Sequence, residues 1–307
     1  MEISVEAAED RPLKNAILIA GPTASGKSAH ALRLAERVGG VIVNADSMQV
    51  YSILRVLTAR PDADETRRVP HLLYGHIHPG DSYSTGQWLR DVEDLREAGA
   101  FEGRRPIFVG GTGLYFRALT EGLSVMPEVA PEIRERWRRR LALDGVEELH
   151  RALERDDPAA AAKLRPGDGQ RILRALEVLE ASGRSILDWQ AEAGTPLVDA
   201  ESADRVVIAP DRALLVARIE KRFDRMVEDG ALDEVRALAA LKLDPALPAM
   251  KAIGVRELME AEEGSLSLDE AIERAKIATR QYAKRQATWF RNQFGPEWRR
   301  VDPADLA

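Results

Sequence analysis

Gly21-Pro22-Thr23-Ala24-Ser25-Gly26-Lys27-Ser28 is the segment of this 307-residue chain that concentrates the most chemistry. It is a complete G-x-x-x-x-G-K-S. An apolar run, Asn15 to Ala20, precedes it, and in Lys27 to Val38 the residues Ala31, Leu34, Ala35 and Val38 recur at helical spacing. A chance match in a chain of this length has odds of roughly one in a hundred, before the strand and helix are required. The glycines let backbone N–H groups wrap phosphate oxygens at the positive end of a helix. Lys27 adds a point charge and the Ser28 hydroxyl can hold Mg2+. The motif fixes a di- or triphosphate ligand and leaves the reaction open.

A second apolar run, Val41 to Asn44, leads into Asp46-Ser47-Met48-Gln49-Val50-Tyr51. A carboxylate there, 20 residues after Gly26, could take a proton from an acceptor held beside the phosphates. It could equally cap a helix or hold Mg2+ through water, and spacing does not decide. Gly110-Gly111-Thr112-Gly113 follows a third run, Pro106 to Val109. It lacks the third glycine and the acidic partner of a dinucleotide fingerprint, so it reads as a backbone loop with Thr112 free to bond a ligand. His71, His76 and His78 with Asp81 form one cluster that metal ligation could use, with no fourth ligand evident. From Arg274 to Arg291 the sequence RAKIATRQYAKRQATWFR contains no acidic residue. Lys276, Arg280, Lys284 and Arg291 share one helical face, and Ala271, Ala275, Ala278, Tyr282 and Trp289 share another. The basic face is expected to bind phosphates, with a solvated amphipathic helix as the alternative.

The elements that must position these residues follow from the alternation of short apolar runs with helical segments. This predicts an α/β fold, a P-loop core with a mostly parallel sheet and its ligands at the carboxyl ends of the strands. Between about residues 126 and 204 the pattern becomes helical and rich in Arg, Glu, Ala and Leu, which predicts an all-helical insertion domain. The core is then expected in two parts, 1–125 and 205–307, with Arg205 to Ala209 returning to the sheet and a basic helix closing the chain.

Composition narrows the classes. With 45% hydrophobic and 31% charged residues, a packed soluble core is expected. The acidic opening MEISVEAAEDRP is unlike a signal peptide and no apolar run approaches a membrane span, so a cytoplasmic protein with no membrane partner is expected. The absence of cysteine excludes disulfides, thiolate metal sites and a cysteine nucleophile. A net charge of −7 makes the placement of the basic block, rather than the total, the argument for a nucleic-acid partner.

Taken together, GPTASGKS, ADSMQVY, TARP at Thr58, VPH at Val69, GGTGLYF, QRILRALEV at Gln170, RIEKRFDRM at Arg218, AMKAIGVREL at Ala249 and YAKRQATWFR at Tyr282 closely resemble the tRNA dimethylallyltransferase family. The resemblance covers nearly the whole chain. It implies transfer of a dimethylallyl group from dimethylallyl diphosphate to N6 of the adenosine 3′ to the anticodon, by a monomer. Gly21 to Ser28 would cradle the diphosphate, with Thr23, Lys27 and Ser28 around it and its Mg2+. Asp46 would be the general base, and Ser47, Met48 and Gln49 would hold the flipped-out adenine. Thr112 matches a contact in the reaction channel and Arg222 an arginine facing the departing diphosphate. Arg134, Gln170, Arg171, Arg174, Lys251, Arg256, Lys284, Arg285 and Arg291 match segments that touch the tRNA anticodon stem-loop. Two stretches differ from the family's pattern: Ser52 to Leu57 reads SILRVL in place of K-G-M-D-I-G, and Leu72 to Gly75 reads LLYG in place of H-L-I-D. A prenyltransferase acting on a free adenine nucleotide, a nucleotide kinase and a non-catalytic RNA-binding protein are the competing readings.

Overall fold

The computed structural model describes residues 12–192 and 194–306, so the acidic residues of the opening segment lie outside the described residues. The chain runs β1 (Ile17–Ala20), α1 (Lys27–Val38), β2 (Gly40–Asn44), α2 (Ala63–Arg68), β3 (His71–Leu72), α3 (Thr85–Glu97), β4 (Arg105–Gly110) and α4 (Gly113–Glu121). Then come α5 (Pro131–Asp156), α6 (Pro158–Lys163), α7 (Gly169–Ser182) and α8 (Ile186–Ala191). It returns through β5 (Asp204–Ile208), α9 (Arg212–Glu228), α10 (Ala231–Ala240), α11 (Val255–Glu262), α12 (Leu268–Gln293) and β6 (Arg299–Val301). Two compact units result, 1–120 with 197–307 and 121–196.

In the first unit six strands form one sheet in the order β3-β2-β4-β1-β5-β6, and every pairing is parallel. β1, β2 and β4 are buried on both faces, which is why they read as short continuous apolar runs. Alternation still sorts them: Ile17, Ile19, Ile42, Ile107 and Ile208 pack with Ala31, Leu32 and Ala35 of α1. Their neighbours Leu18, Val43, Phe108 and Val207 pack on the opposite face with Trp88, Tyr115 and Phe116. The order places the loops after β2, β4 and β1 side by side at one edge of the sheet.

A further core joins Val50, Tyr51, Leu54 and Leu57 to Phe223, Val235, Leu258 and Ala271. The SILRVL stretch is therefore an anchored segment. Leu54 is fully buried, and the backbone N–H groups of Val56 and Leu57 donate to the Glu234 carboxylate at 2.6 and 3.0 Å. The LLYG stretch has a matching reason: a Cβ at Gly75 would overlap the Arg60 guanidinium, which donates to the Ser52 carbonyl at 2.7 Å.

The second unit is α5 to α8 around Trp137, Leu149, Leu153, Ile172 and Leu176. Gly145, at φ 82°, breaks the α5 stretch where the sequence divides into two helical patterns. The unit's limits differ from the interval 126–204. Residues 197–203 belong to the sheet unit, where Val198 donates to Leu119 at 2.9 Å and Asp199 to Leu13 at 3.0 Å. That stretch, one isolated bridge at Val198 followed by a turn, carries no strand periodicity, so only its pairing reveals its place. Among the described residues no helix is long and apolar enough to cross a membrane.

Candidate active site

The loop Gly21 to Ser28 joins β1 to α1, and its residues converge on one point. Lys27 donates to the Pro22 carbonyl at 3.2 Å, and Arg222 of α9 donates to the Thr23 hydroxyl at 2.5 Å. One turn before it on α9, Arg218 donates to the Ser25 carbonyl at 3.2 Å. Burial pulls the Lys27 ammonium down from 10.5 to about 8; the nearby Asp46 opposes this and the Arg222 cation reinforces it. Burial likewise lowers Arg222 to about 10, again opposed by Asp46. Two desolvated cations held at this loop suit a polyanion, whose binding would repay their desolvation. The fully buried Ser25 hydroxyl has no hydrogen-bond partner, an open donor inside the same loop.

The loop after β2 carries Asp46 on a built turn. Buried Asn44 accepts from the Asp46 N–H at 2.9 Å and donates to the Asp46 and Leu73 carbonyls at 2.9 and 3.0 Å. Its own carbonyl takes the Trp88 indole N–H at 2.8 Å. Asp46 Oδ1 accepts from the Met48 N–H at 3.0 Å, while Oδ2 lies beside Gly111. Thr112, on the loop after β4, accepts from the Ser47 N–H at 2.9 Å and donates to the Ser47 hydroxyl at 3.2 Å. Gln49 spends its amide donors on the Thr58 and Ala59 carbonyls, at 2.8 and 2.9 Å. Tyr74, Tyr115 and Tyr282 surround this loop. Burial raises each of their phenols, and the Asp46 charge raises them further, so all three stay protonated.

α12 closes the edge. Gln286, 5% exposed, accepts from the Thr23 N–H at 2.8 Å and donates to the Gly111 carbonyl at 3.0 Å. A Cβ at Gly111 would stand 2.1 Å from its Nε2, and one at Gly113 would stand 2.0 Å from the Trp289 ring. The glycines after β4 thus serve close approach by α12. Beyond them, Gln281, Lys284, Arg285, Thr288, Trp289, Asn292 and Gln293 line an open depression.

Thr23, Lys27, Asp46, Ser47, Thr112 and Arg222 therefore come together at one sheet edge. Lys251 and Arg256 are exposed near α11, with Arg256 paired to Glu260 at 2.8 Å. Arg134, Gln170, Arg171 and Arg174 lie in the helical unit, where Arg171 faces Asp168 at 3.5 Å and Arg174 faces Glu177 at 3.7 Å. The four-residue basic face of α12 needs correction. Lys276 is buried and paired with Asp224 at 2.7 Å, and Arg280 meets Glu220 at 3.0 Å, because α9 packs its carboxylates against that part of the helix. Lys284, Arg285 and Arg291 are exposed. The histidines disperse: His71 bonds the Val69 carbonyl at 2.8 Å, His76 meets Asp91 at 3.1 Å, and His78 accepts from Gly80 at 3.1 Å. Among the described residues no group of three potential ligands forms a metal site. Sequence reasoning missed Asn44, Arg218 and Gln286 as site residues. Gln286 lies inside the YAKRQATWFR motif, and a polar residue in phase with the buried Ala283 and Phe290 was its one available signal.

The IPP transferase family model matches residues 49–293, and the isopentenyl transferase model matches residues 14–80. A tRNA dimethylallyltransferase of Mesorhizobium japonicum is 68% identical over 98% of this chain and 93% of its own. That of a Chelativorans species is 62% identical over 93% of this chain and 98% of its own. The solved tRNA isopentenylpyrophosphate transferase of Bacillus halodurans superposes with a TM-score of 0.67 at 32% identity, covering 94% of this chain and 90% of that one. A eukaryotic dimethylallyltransferase crystallised acting on tRNA gives a TM-score of 0.80 at 27% identity, covering 94% of this chain and 74% of that one. These matches agree with the parallel-sheet fold, and the chain belongs to the tRNA dimethylallyltransferase family.

Proposed function

We propose that this protein moves the dimethylallyl group of dimethylallyl diphosphate onto N6 of the adenosine 3′ to the anticodon of tRNA and releases diphosphate, acting as a cytoplasmic monomer. One observation carries the reading: the cations that suit a leaving diphosphate and a carboxylate that suits an amine acceptor share one edge, linked through Thr23, Gln286, Gly111 and Thr112.

An aromatic amine is a weak nucleophile because its lone pair is delocalised into the ring. Asp46 takes the N6 proton as the N6–C1 bond forms and the C1–O bond to the diphosphate breaks. Lys27, Arg222 and the loop N–H groups receive the charge that develops on the departing oxygen. Asp46 is held by Asn44 and by its own turn, so the base is in place before the acceptor arrives. Ser47 and Thr112 border it as adenine contacts, and Gln49 keeps its carbonyl oxygen for the base.

The donor set fits Mg2+. The Ser28 side chain, exposed on the first turn of α1, would hold the ion beside the diphosphate, whose oxygens and water would complete its coordination. When bound, Mg2+ supplies further charge neutralisation for the diphosphate. The depression beside Trp289, edged by Lys284 and Arg285, offers cations and a π-face to a single-stranded RNA loop.

The acceptor decides between this reading and its nearest relative. Labelled dimethylallyl diphosphate is offered to unmodified tRNA and to AMP, and nucleosides are separated after digestion. Label in an N6-substituted adenosine from tRNA is expected; label in AMP alone would overturn the RNA assignment.

A further inference from the structure

We infer that Gln286 is a positioning residue that locks the diphosphate loop and the acceptor loop into one register, so that leaving group and base address the same substrate pair. This inference rests on the prenyl-transfer reading above.

The argument begins where the sheet ends. β1 and β4 are neighbours, and just past the end of β1 Gly21 still donates to the carbonyl of Gly110, the last residue of β4, at 3.3 Å. Past that point the two loops separate, because one turns to wrap a phosphate and the other crosses toward Asp46. Gln286 supplies the next rung. A primary amide offers one carbonyl and N–H donors, the same pair a peptide group offers, and here both ends are used in opposite senses. Oε1 accepts from the Thr23 N–H at 2.8 Å and Nε2 donates to the Gly111 carbonyl at 3.0 Å. Carboxylate, thioether and ammonium side chains cannot do both.

Each partner leads to one half of the chemistry. Thr23 receives the Arg222 guanidinium on its hydroxyl. Gly111 leads into Thr112, whose N–H donates to the Ala45 carbonyl at 3.2 Å and whose hydroxyl takes the Ser47 N–H at 2.9 Å, bracketing Asp46 from both sides. The carboxamide is buried, so water does not compete for it. Its helix is fixed by Ala283 and Phe290 in the core and by Trp289 against Gly113. Near-attack geometry is sensitive to small displacements, and an ångström of misplacement costs on the order of 100-fold in rate.

The test separates binding from transfer in Gln286→Met, which keeps the length and removes both hydrogen bonds, and in Gln286→Glu, which keeps the acceptor for Thr23 and removes the donor to Gly111. Thermal melting identifies the folded variants. Three quantities are measured for each: the Kd for a slowly reacting dimethylallyl thiodiphosphate, the Kd for unmodified tRNA, and the single-turnover transfer rate with both substrates saturating. The expected result is both Kd values within about threefold of wild type and a rate lower by roughly 100-fold. A variant rate within threefold of wild type overturns the inference. Weakening of both Kd values at an unchanged rate also overturns it, since that is the signature of loop folding alone. A wild type that binds both substrates and transfers nothing overturns the functional reading, and this inference falls with it.

Discussion

Raising the pH should weaken donor binding through Lys27 alone. Its ammonium sits against the Pro22 carbonyl, and burial lowers it from 10.5 to about 8 in the unliganded protein. A bound diphosphate favours the charged form and raises the pKa again. A lysine depressed in the free state is charged below about pH 8 and loses its proton above it, while the complex keeps that proton until much higher pH. Binding therefore takes up a proton between these limits, and affinity falls tenfold per pH unit. Between pH 7 and about 9.5 the Kd should rise roughly 30-fold. The last ionisation of the ligand, near ~6 for a phosphate monoester, lies below this window. Arg222, at about 10, remains charged through most of it. Isothermal titration of dimethylallyl thiodiphosphate into the unliganded protein, in buffers of different ionisation enthalpy at pH 9, should report uptake of about 0.9 proton. Lys27→Met should weaken binding at pH 7 and abolish the uptake. A wild-type Kd that is flat to pH 9.5, with no proton uptake, would refute the assignment of Lys27 as the desolvated diphosphate cation.

Two further outcomes follow from the same geometry. Ser25→Ala removes a buried hydroxyl that has no partner in the free protein, so its melting temperature should hold or rise while donor affinity falls about 5- to 30-fold; a lower melting temperature with unchanged affinity would contradict this. Replacing Lys284, Arg285 and Arg291 together by Ala should flatten the salt dependence of tRNA binding by roughly two units and leave donor binding intact. Lys276→Ala should leave that slope unchanged, because Asp224 already neutralises the lysine; equal slopes for the triple variant and wild type would count against the α12 surface.

Much of this architecture is legible in the residues. The bounds of α1 coincide with the sequence reading, because Gly26 and Gly39 both adopt left-handed conformations at its ends and mark start and stop. The central strands were visible as apolar runs because both of their faces are covered. β3 and β6 were not: His71–Leu72 is two residues long, and Arg299–Val301 carries two arginines, so neither shows a pattern. The loop Gly21 to Ser28 was legible because it is local. The charge state of α12 was not, since Glu220 and Asp224 lie some sixty and fifty residues before the Arg280 and Lys276 they neutralise. Gln286 was hidden for the same reason, because a buried amide declares its partners only when three distant segments meet. The SILRVL stretch differs from the family's pattern, yet its leucines and Glu234 hold it where Gln49 can bond Thr58 and Ala59.

The account's central claim is that Asp46 accepts the amine proton at an edge shared with the diphosphate cations. Asp46→Asn keeps an Oδ1 for the Met48 N–H, so the turn and substrate binding should survive. Single-turnover transfer at saturating donor and tRNA, measured at two Mg2+ concentrations, should fall roughly 10²- to 10⁴-fold and stay low when Mg2+ is raised. A wild-type rate in Asp46→Asn, or its recovery with added Mg2+, would contradict the account.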